Sequence, residues 1–131
     1  TKAVFHASAT SQNNLHVLKA DILQEEFPEK SYDAMTAAGL LEHIPDPRGF
    51  LRKMHGRLTP ETGRIFVMLP INTAHPDHMI LFNHVDECRD LMTETGFAVV
   101  EERIVPTEDL PAAELAEKKV PVMYLGICKT A

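Results

Sequence analysis

Apolar and polar positions follow two rhythms along the chain, and the changes of rhythm mark its elements. Tyr32-Asp33-Ala34-Met35-Thr36-Ala37-Ala38 is short and mostly apolar, the pattern of a buried parallel strand. Phe50, Leu51, Met54 and Leu58 then recur at helical spacing, with Arg48, Arg52, Lys53 and Arg57 between them. Ile65-Phe66-Val67-Met68-Leu69 is a second unbroken apolar run. Between these segments lies turn chemistry. Gly39 and the polar pair Glu42-His43 come where the first strand ends. Pro45 and Pro47 punctuate the loop, and Pro47 suits the first turn of a helix. Thr59-Pro60-Glu61-Thr62-Gly63 ends the helix and turns the chain. Two buried strands flanking one amphipathic helix predict a βαβ unit with a right-handed crossover, and so an α/β fold.

The flanking segments extend this pattern. Residues 1–14 are small and polar and read as the tail of a helix ended by Asn13-Asn14. Residues 15–20 alternate apolar and polar up to Asp21, which predicts a strand, and residues 24–30 form an acidic turn around Pro28. Beyond Pro70, residues 71–78 are a loop and residues 79–82 a short apolar segment expected to cover the sheet. Asn83 or His84 is placed to cap a helix whose buried stripe is Val85, Cys88, Leu91 and Met92. Asp86 and Glu87 favour its first turn, and Gly96 is its expected stop. A strand follows from Phe97 to Val105. Residues 106–119 read as a loop with one helical turn, and residues 120–128 as a last strand with Pro121 at its start or on an edge.

Composition narrows the class. The 131 residues make at most one domain, and 44% hydrophobic with 24% charged residues is ordinary for a soluble globular chain. The net charge of −6, with both signs interspersed, argues against nucleic-acid binding, and the basic residues of the central helix read as a solvated face. No apolar run is long enough for a membrane span, so no membrane partner is expected. Two cysteines far apart, Cys88 and Cys128, fit buried free thiols in a reducing compartment, which points to the cytoplasm. The chain opens on Thr1 rather than Met, and residues upstream of it are expected.

The central unit, YDAMTAAGLLEHIPDPRGFLRKMHGRLTPETGRIFVMLP, resembles the middle of a class I S-adenosylmethionine-dependent methyltransferase of the small-molecule type. In that family a strand opening with a hydrophobic-Asp pair runs into a loop like LLEHIPDP, then a helix, a glycine turn and a strand. Here the turn is LTPETG, one residue longer than the usual form and without its basic residue. Leu18-Lys19-Ala20-Asp21-Ile22 is similar to the family's strand-small-Asp motif, and residues 81–105 to its next helix and strand. The resemblance covers roughly the last three-fifths of a typical domain. None of the six glycines lies in a G-x-G pattern, and the family's cofactor-cradling glycine loop is expected upstream of Thr1.

The resemblance implies S-adenosylmethionine as cofactor and assigns positions to it. Asp21 and Ile22 match the residues that accept the adenine amino group and lie on its ring; read by itself, Asp21 caps a turn. Ala38 and Gly39 match the backbone that passes the methionine part, where small residues permit close approach; read by themselves, they are a strand-to-loop turn. His43, with His75 and His78 at the end of the next strand, should face the crevice beyond the strand ends, where ligands of open α/β sheets bind. A histidine there can take a proton from the methyl acceptor, or simply bond the loop backbone. Glu42, His43, His75 and His78 also have metal-ligand chemistry, but H-x-x-H in a loop is a common pairing and no metal is expected from it.

The implied activity is methyl transfer to a small-molecule acceptor by an intact domain, with this chain inactive alone. The alternatives are a non-catalytic methyltransferase-like partner subunit and an unrelated α/β protein. The family's sheet order, 3-2-1-4-5-7-6, implies that this chain supplies the third to seventh strands. The last should be antiparallel and inserted between the strands starting at Arg64 and Phe97. The strand at residues 15–20 would lack both its intervening neighbours. That leaves an exposed sheet edge, open to self-association or to a partner chain.

Overall fold

The computed structural model describes residues 19, 21–24, 31–106 and 109–131. Its elements are β1 (Ala34–Ala38), a 3-10 turn (Leu41–His43), α1 (Pro47–His55), β2 (Arg64–Ile71), α2 (Val85–Glu94), β3 (Phe97–Pro106), α3 (Ala112–Lys118) and β4 (Val122–Thr130). The strands form one sheet in the order β1-β2-β4-β3. β1 runs parallel to β2, with Ala37 opposite Val67, and β4 runs antiparallel to both of its neighbours. The expected insertion of the last strand between those starting at Arg64 and Phe97 is therefore present. The helix tail at residues 1–14 lies outside the described residues. So does the strand at residues 15–20, apart from Lys19, which is in no strand.

The two faces of the sheet differ. One carries Ile65, Val67 and Leu69 of β2 with Tyr124 and Cys128 of β4, all at most 1% exposed. Phe50, Leu51 and Met54 of α1 and Cys88, Leu91 and Met92 of α2 complete the same core. Apolar burial at this density is the main favourable term in the fold. The opposite face presents Ala34, Thr36, Ala38, Phe66, Met68, Leu125 and Ile127, none of them fully buried. Among the described residues β1 is thus covered on one face only, where the sequence pattern predicts both, because α1 and α2 lie on the same side.

Element ends follow local chemistry. Asp46 caps α1, its carboxylate accepting the Gly49 N–H at 2.9 Å, and Pro47 opens the first turn. The helix stops at His55, before Leu58. Tyr32 and Leu58 instead form an isolated parallel bridge, with the Tyr32 N–H on the Arg57 carbonyl and the Thr59 N–H on the Tyr32 carbonyl. Neither Asn83 nor His84 caps α2 with its side chain; Glu87 does the work from inside, accepting the Asn83 N–H at 3.0 Å. Gly96 ends α2 with φ of +93°, a conformation that costs glycine little. α3 is longer than the single turn expected, and β4 begins after Pro121, which keeps proline out of the ladder. An irregularity between Val99 and Glu101 leaves Val100 out of register in β3. Phe82 is buried and bridges Ile71, and Ile80 is half-buried against the core, but Met79 and Leu81 are exposed, so the 79–82 segment covers the sheet with two residues.

Arg89 of α2 grips Glu102 of β3 with two donors, and the Tyr124 hydroxyl donates to the same carboxylate at 3.0 Å. Arg89 first, then Tyr124, hold the Glu102 carboxyl below its ordinary range. Among the described residues no helix is long and apolar enough to cross a membrane. Cys88 and Cys128 are free and fully buried, and burial pushes their thiols from 9.0 up to about 12 and about 11.

Two outcomes follow from this packing. Folded-state thiol pKa values raised above the unfolded 9.0 mean that these groups stabilise the fold fully below about pH 9, and that this contribution is lost as pH rises through the folded values. Native protein at pH 8 should therefore react with a thiol reagent only as fast as it unfolds, and thermal scans should show falling stability above pH 9; rapid labelling of either thiol in native buffer contradicts this. Gly39 sits at φ of +61°. Gly39→Ala should cost about 1–2 kcal/mol in urea unfolding, and Gly39→Asn less, because Asn tolerates the left-handed region.

Candidate active site

Parallel pairing of β1 and β2 sends the loops after both strands out of the same edge of the sheet. The first loop begins at Gly39, whose N–H donates to the Met68 carbonyl at 3.4 Å. Its positive φ turns the chain into the 3-10 turn. Leu41 is fully buried there and Ile44 nearly so, and these two anchors draw Glu42 inside, where it is 4% exposed. The second loop, residues 72–84, crosses over it. The Glu42 carbonyl accepts the N–H groups of Met79 at 2.7 Å and Ile80 at 3.3 Å, which straps the loops together. Asn72 turns the chain out of β2 at φ of +56°, and the His78 N–H returns to the His75 carbonyl.

The strap brings five polar side chains together. Nδ1 of His43 lies 3.1 Å from the Asp77 carbonyl and 3.5 Å from Asp77 Oδ2, and its Nε2 lies 3.6 Å from Glu42 Oε1. Nδ1 of His78 lies 3.0 Å from the Thr73 carbonyl. The His43 and His78 rings meet edge to face with centroids 4.8 Å apart, and His75 and His78 tilt together at 5.5 Å. His75 Nδ1 also bonds Asp77 Oδ1. That hydrogen bond, with the nearby His75 and His43 charges, holds the Asp77 carboxyl below its usual range against the opposing effect of burial. A carbonyl can only accept, so Nδ1 carries a proton on both His43 and His78, and in the neutral ring Nε2 has the lone pair. Glu42 Oε2 is buried and has no hydrogen-bond partner.

The residues singled out in the sequence fall into two groups. His43, His75 and His78 do converge at the strand ends, with Ala38 and Gly39 exposed beside them. Asp21 and Ile22 lie at the far end of the first loop. Ile22 is half-buried and, with Asp46, Gly49, Phe50 and Lys53, lines a cleft of about 170 Å³. Asp21 is exposed; its Oδ1 accepts the Leu23 N–H at 2.9 Å, the turn-capping role its sequence position also allows. Asp77, which the sequence places with His75 and His78 at the end of the second strand, faces the same crevice and joins His43 to His75. Sequence reasoning missed a larger cleft of about 840 Å³. This opens between the ends of the 72–84 loop, the start of α2 and α3, and Ile71, Val85, Ile104 and Val122 give it apolar walls.

Residues 3–102 match a family model described as a methyltransferase domain. No sequence match was found among curated proteins. Solved structures with the same fold include the O-methyltransferase from the trans-AT PKS multienzyme of Brevibacillus brevis in complex with S-adenosyl-L-homocysteine. That one is 18% identical, with a TM-score of 0.61, over 86% of this chain and 48% of its own. The (4+2)-cyclase SpnF aligns at 12% identity and a TM-score of 0.64, over 85% of this chain and 55% of its own. A chain from the complex between the Haloferax volcanii Trm112 methyltransferase activator and a candidate methyltransferase aligns at 18% identity and a TM-score of 0.63, over 92% and 64%. The chain spans about half the length of the first two. Identities this low carry the fold and not the chemistry. The family match is another matter, since it runs through both strand-end loops and the whole βαβ unit, and by it the chain belongs to a methyltransferase domain family.

Proposed function

We propose that this chain is the acceptor-side part of a domain that transfers a methyl group from S-adenosylmethionine to a small-molecule acceptor, and that it is inactive alone. The observation that carries this reading is the convergence of His43, His75 and His78 beside Ala38 and Gly39 in a chain of this family. The residues present fit the cofactor. Gly39 has no side chain, and a Cβ there would meet nothing nearer than Glu42 Oε1 at 3.8 Å, so the strand end is open to close approach. Ala38 and Gly39 would pass the methionine end, and Asp21 and Ile22 would hold adenine from the far side of the loop. When bound, the sulfonium supplies the chemical drive, which leaves the protein to align donor and acceptor.

His43 is the proton acceptor in this reading. Its Nδ1–H is fixed on the Asp77 carbonyl, and the free Nε2 lone pair can take the acceptor's proton as the methyl group transfers. Asp77 and His75 hold the ring in that tautomer, and His78 packs its edge. The apolar cleft of about 840 Å³ is of the size that holds small organic molecules, although Asn72, Asn83 and His84 line it from the second loop and His43, His75 and His78 do not. Free, buried Cys88 and Cys128 favour a reducing compartment, the cytoplasm. The outer edge of β1 pairs with no other strand among the described residues, which supports self-association or a partner chain there. A second reading, a non-catalytic partner subunit, is favoured by the likeness to a complex that contains a methyltransferase activator.

Two measurements test the proposal. In the domain that contains this chain, His43→Ala should lower kcat by roughly 10²-fold or more while cofactor affinity changes little, because deprotonation acts in the transition state. Unchanged turnover at saturating acceptor would remove His43 from the chemistry. Titration of the 131-residue chain with S-adenosylhomocysteine should give no binding tighter than about 1 mM. Each missing charged or polar hydrogen bond costs about 1.5–3 kcal/mol, and about 1.4 kcal/mol is tenfold in affinity. Micromolar binding by a monomer would mean that the cofactor site is complete in this chain.

A further inference from the structure

Three groups with metal-ligand chemistry stand together at the strand-end cluster, and with neutral imidazoles they offer lone pairs to one another. His43 and His78 each commit Nδ1–H to a backbone carbonyl, of Asp77 and of Thr73, and so each offers a bare Nε2. Glu42 is the third group. Its side chain is only 5% exposed, its Oε1 lies 3.6 Å from His43 Nε2, and its Oε2 has no partner at all. One ligand atom from each of the three lies within 4.8 Å of the other two. An unpartnered buried carboxylate beside an imidazole lone pair is unfavourable unless something positive sits between them. A single proton shared by Glu42 and His43 satisfies two of the three groups. A divalent cation satisfies all three.

We infer that Glu42, His43 and His78 form a binding site for one divalent transition-metal ion. The outer contacts are those that metal-bound histidines use: each imidazole is held through its far nitrogen by a backbone carbonyl, which sets the tautomer and the ring direction. Bonds of about 2.0–2.2 Å place ligand atoms about 3–4 Å apart, so the side chains need only close slightly around the ion. One carboxylate and two imidazoles suit zinc, cobalt or manganese better than magnesium or calcium. Three protein ligands leave further coordination positions open toward the crevice. Asp77 and His75 stay outside the ligand set and brace His43.

What the ion does rests on the methyl-transfer reading, whereas its binding does not. A bound ion would take up the Nε2 lone pair of His43 and would so replace the general-base role given to that ring in the metal-free site. Held by Glu42, His43 and His78, the ion would supply Lewis acidity that favours loss of the proton from an acceptor hydroxyl.

The test is binding without turnover. Chelator-treated protein is titrated with cobalt(II), followed by visible absorbance, and with zinc(II) by calorimetry. One ion per chain is expected, with Glu42→Gln and His78→Ala each weakening it at least tenfold and His84→Ala leaving it unchanged. Circular dichroism of each variant confirms the fold. No saturable one-to-one binding, or equal affinity in Glu42→Gln and His78→Ala, overturns the site. Methyl transfer that is lost in His43→Ala but untouched by chelation would also overturn it, while leaving the proposed function standing. Binding in a protein without methyltransferase activity would do the reverse.

Discussion

The parallel register of β1 on β2 is the constraint on which the rest depends. Because the two strands point the same way, the chain leaves both at one edge of the sheet, and the loops that follow must meet. α1 provides the return that a parallel pair requires, and its burial against the sheet keeps the register. β4 then pairs antiparallel with both β2 and β3, so that all the strands after β1 have their ladder groups satisfied on at least one side. An antiparallel β1 would place the LEH turn at the opposite end of the sheet from His75 and His78.

At the meeting point, backbone groups rather than side chains do most of the fastening. The Glu42 carbonyl takes two N–H donors from the second loop, and the carbonyls of Asp77 and Thr73 each orient an imidazole. This leaves the polar side chains free for chemistry while the loops stay closed. Glu42 is pulled under by its neighbours, since Leu41 and Ile44 occupy the core on either side of it. A carboxylate in that position is costly unless it has a task, and buried titratable groups in a strand-end crevice are where function concentrates.

The fold sets no single chemistry. The same architecture is found in an O-methyltransferase and in a (4+2)-cyclase, both at sequence identities under 20%. What distinguishes one member from another lies in the loops beyond the strands, where residues 39–46 and 72–84 carry the histidines, the buried glutamate and the mouth of the large cleft. The chemical reading therefore stands on those side chains, and the sheet beneath them serves as a rigid mount.

Much of this was legible in the sequence because it is written in local periodicity. The apolar runs at residues 32–38 and 65–69, the stripe of Phe50, Leu51 and Met54, and the stop at Gly96 each depend on near neighbours in the chain, and each gave its element. The order of those elements, set beside a known family, also gave the place of the last strand. Three things were decided only by tertiary structure. Leu58 left the helix because Tyr32, far away in sequence, offered its backbone a partner. Among the described residues β1 has its helix cover on one face, because α1 and α2 packed on the same side. Glu42, a polar residue that local pattern assigns to a loop surface, became a buried group beside two histidines 36 or fewer positions away, because a parallel pairing brought two loops to one edge. Burial and convergence depend on contacts between distant segments, and no local rhythm encodes them.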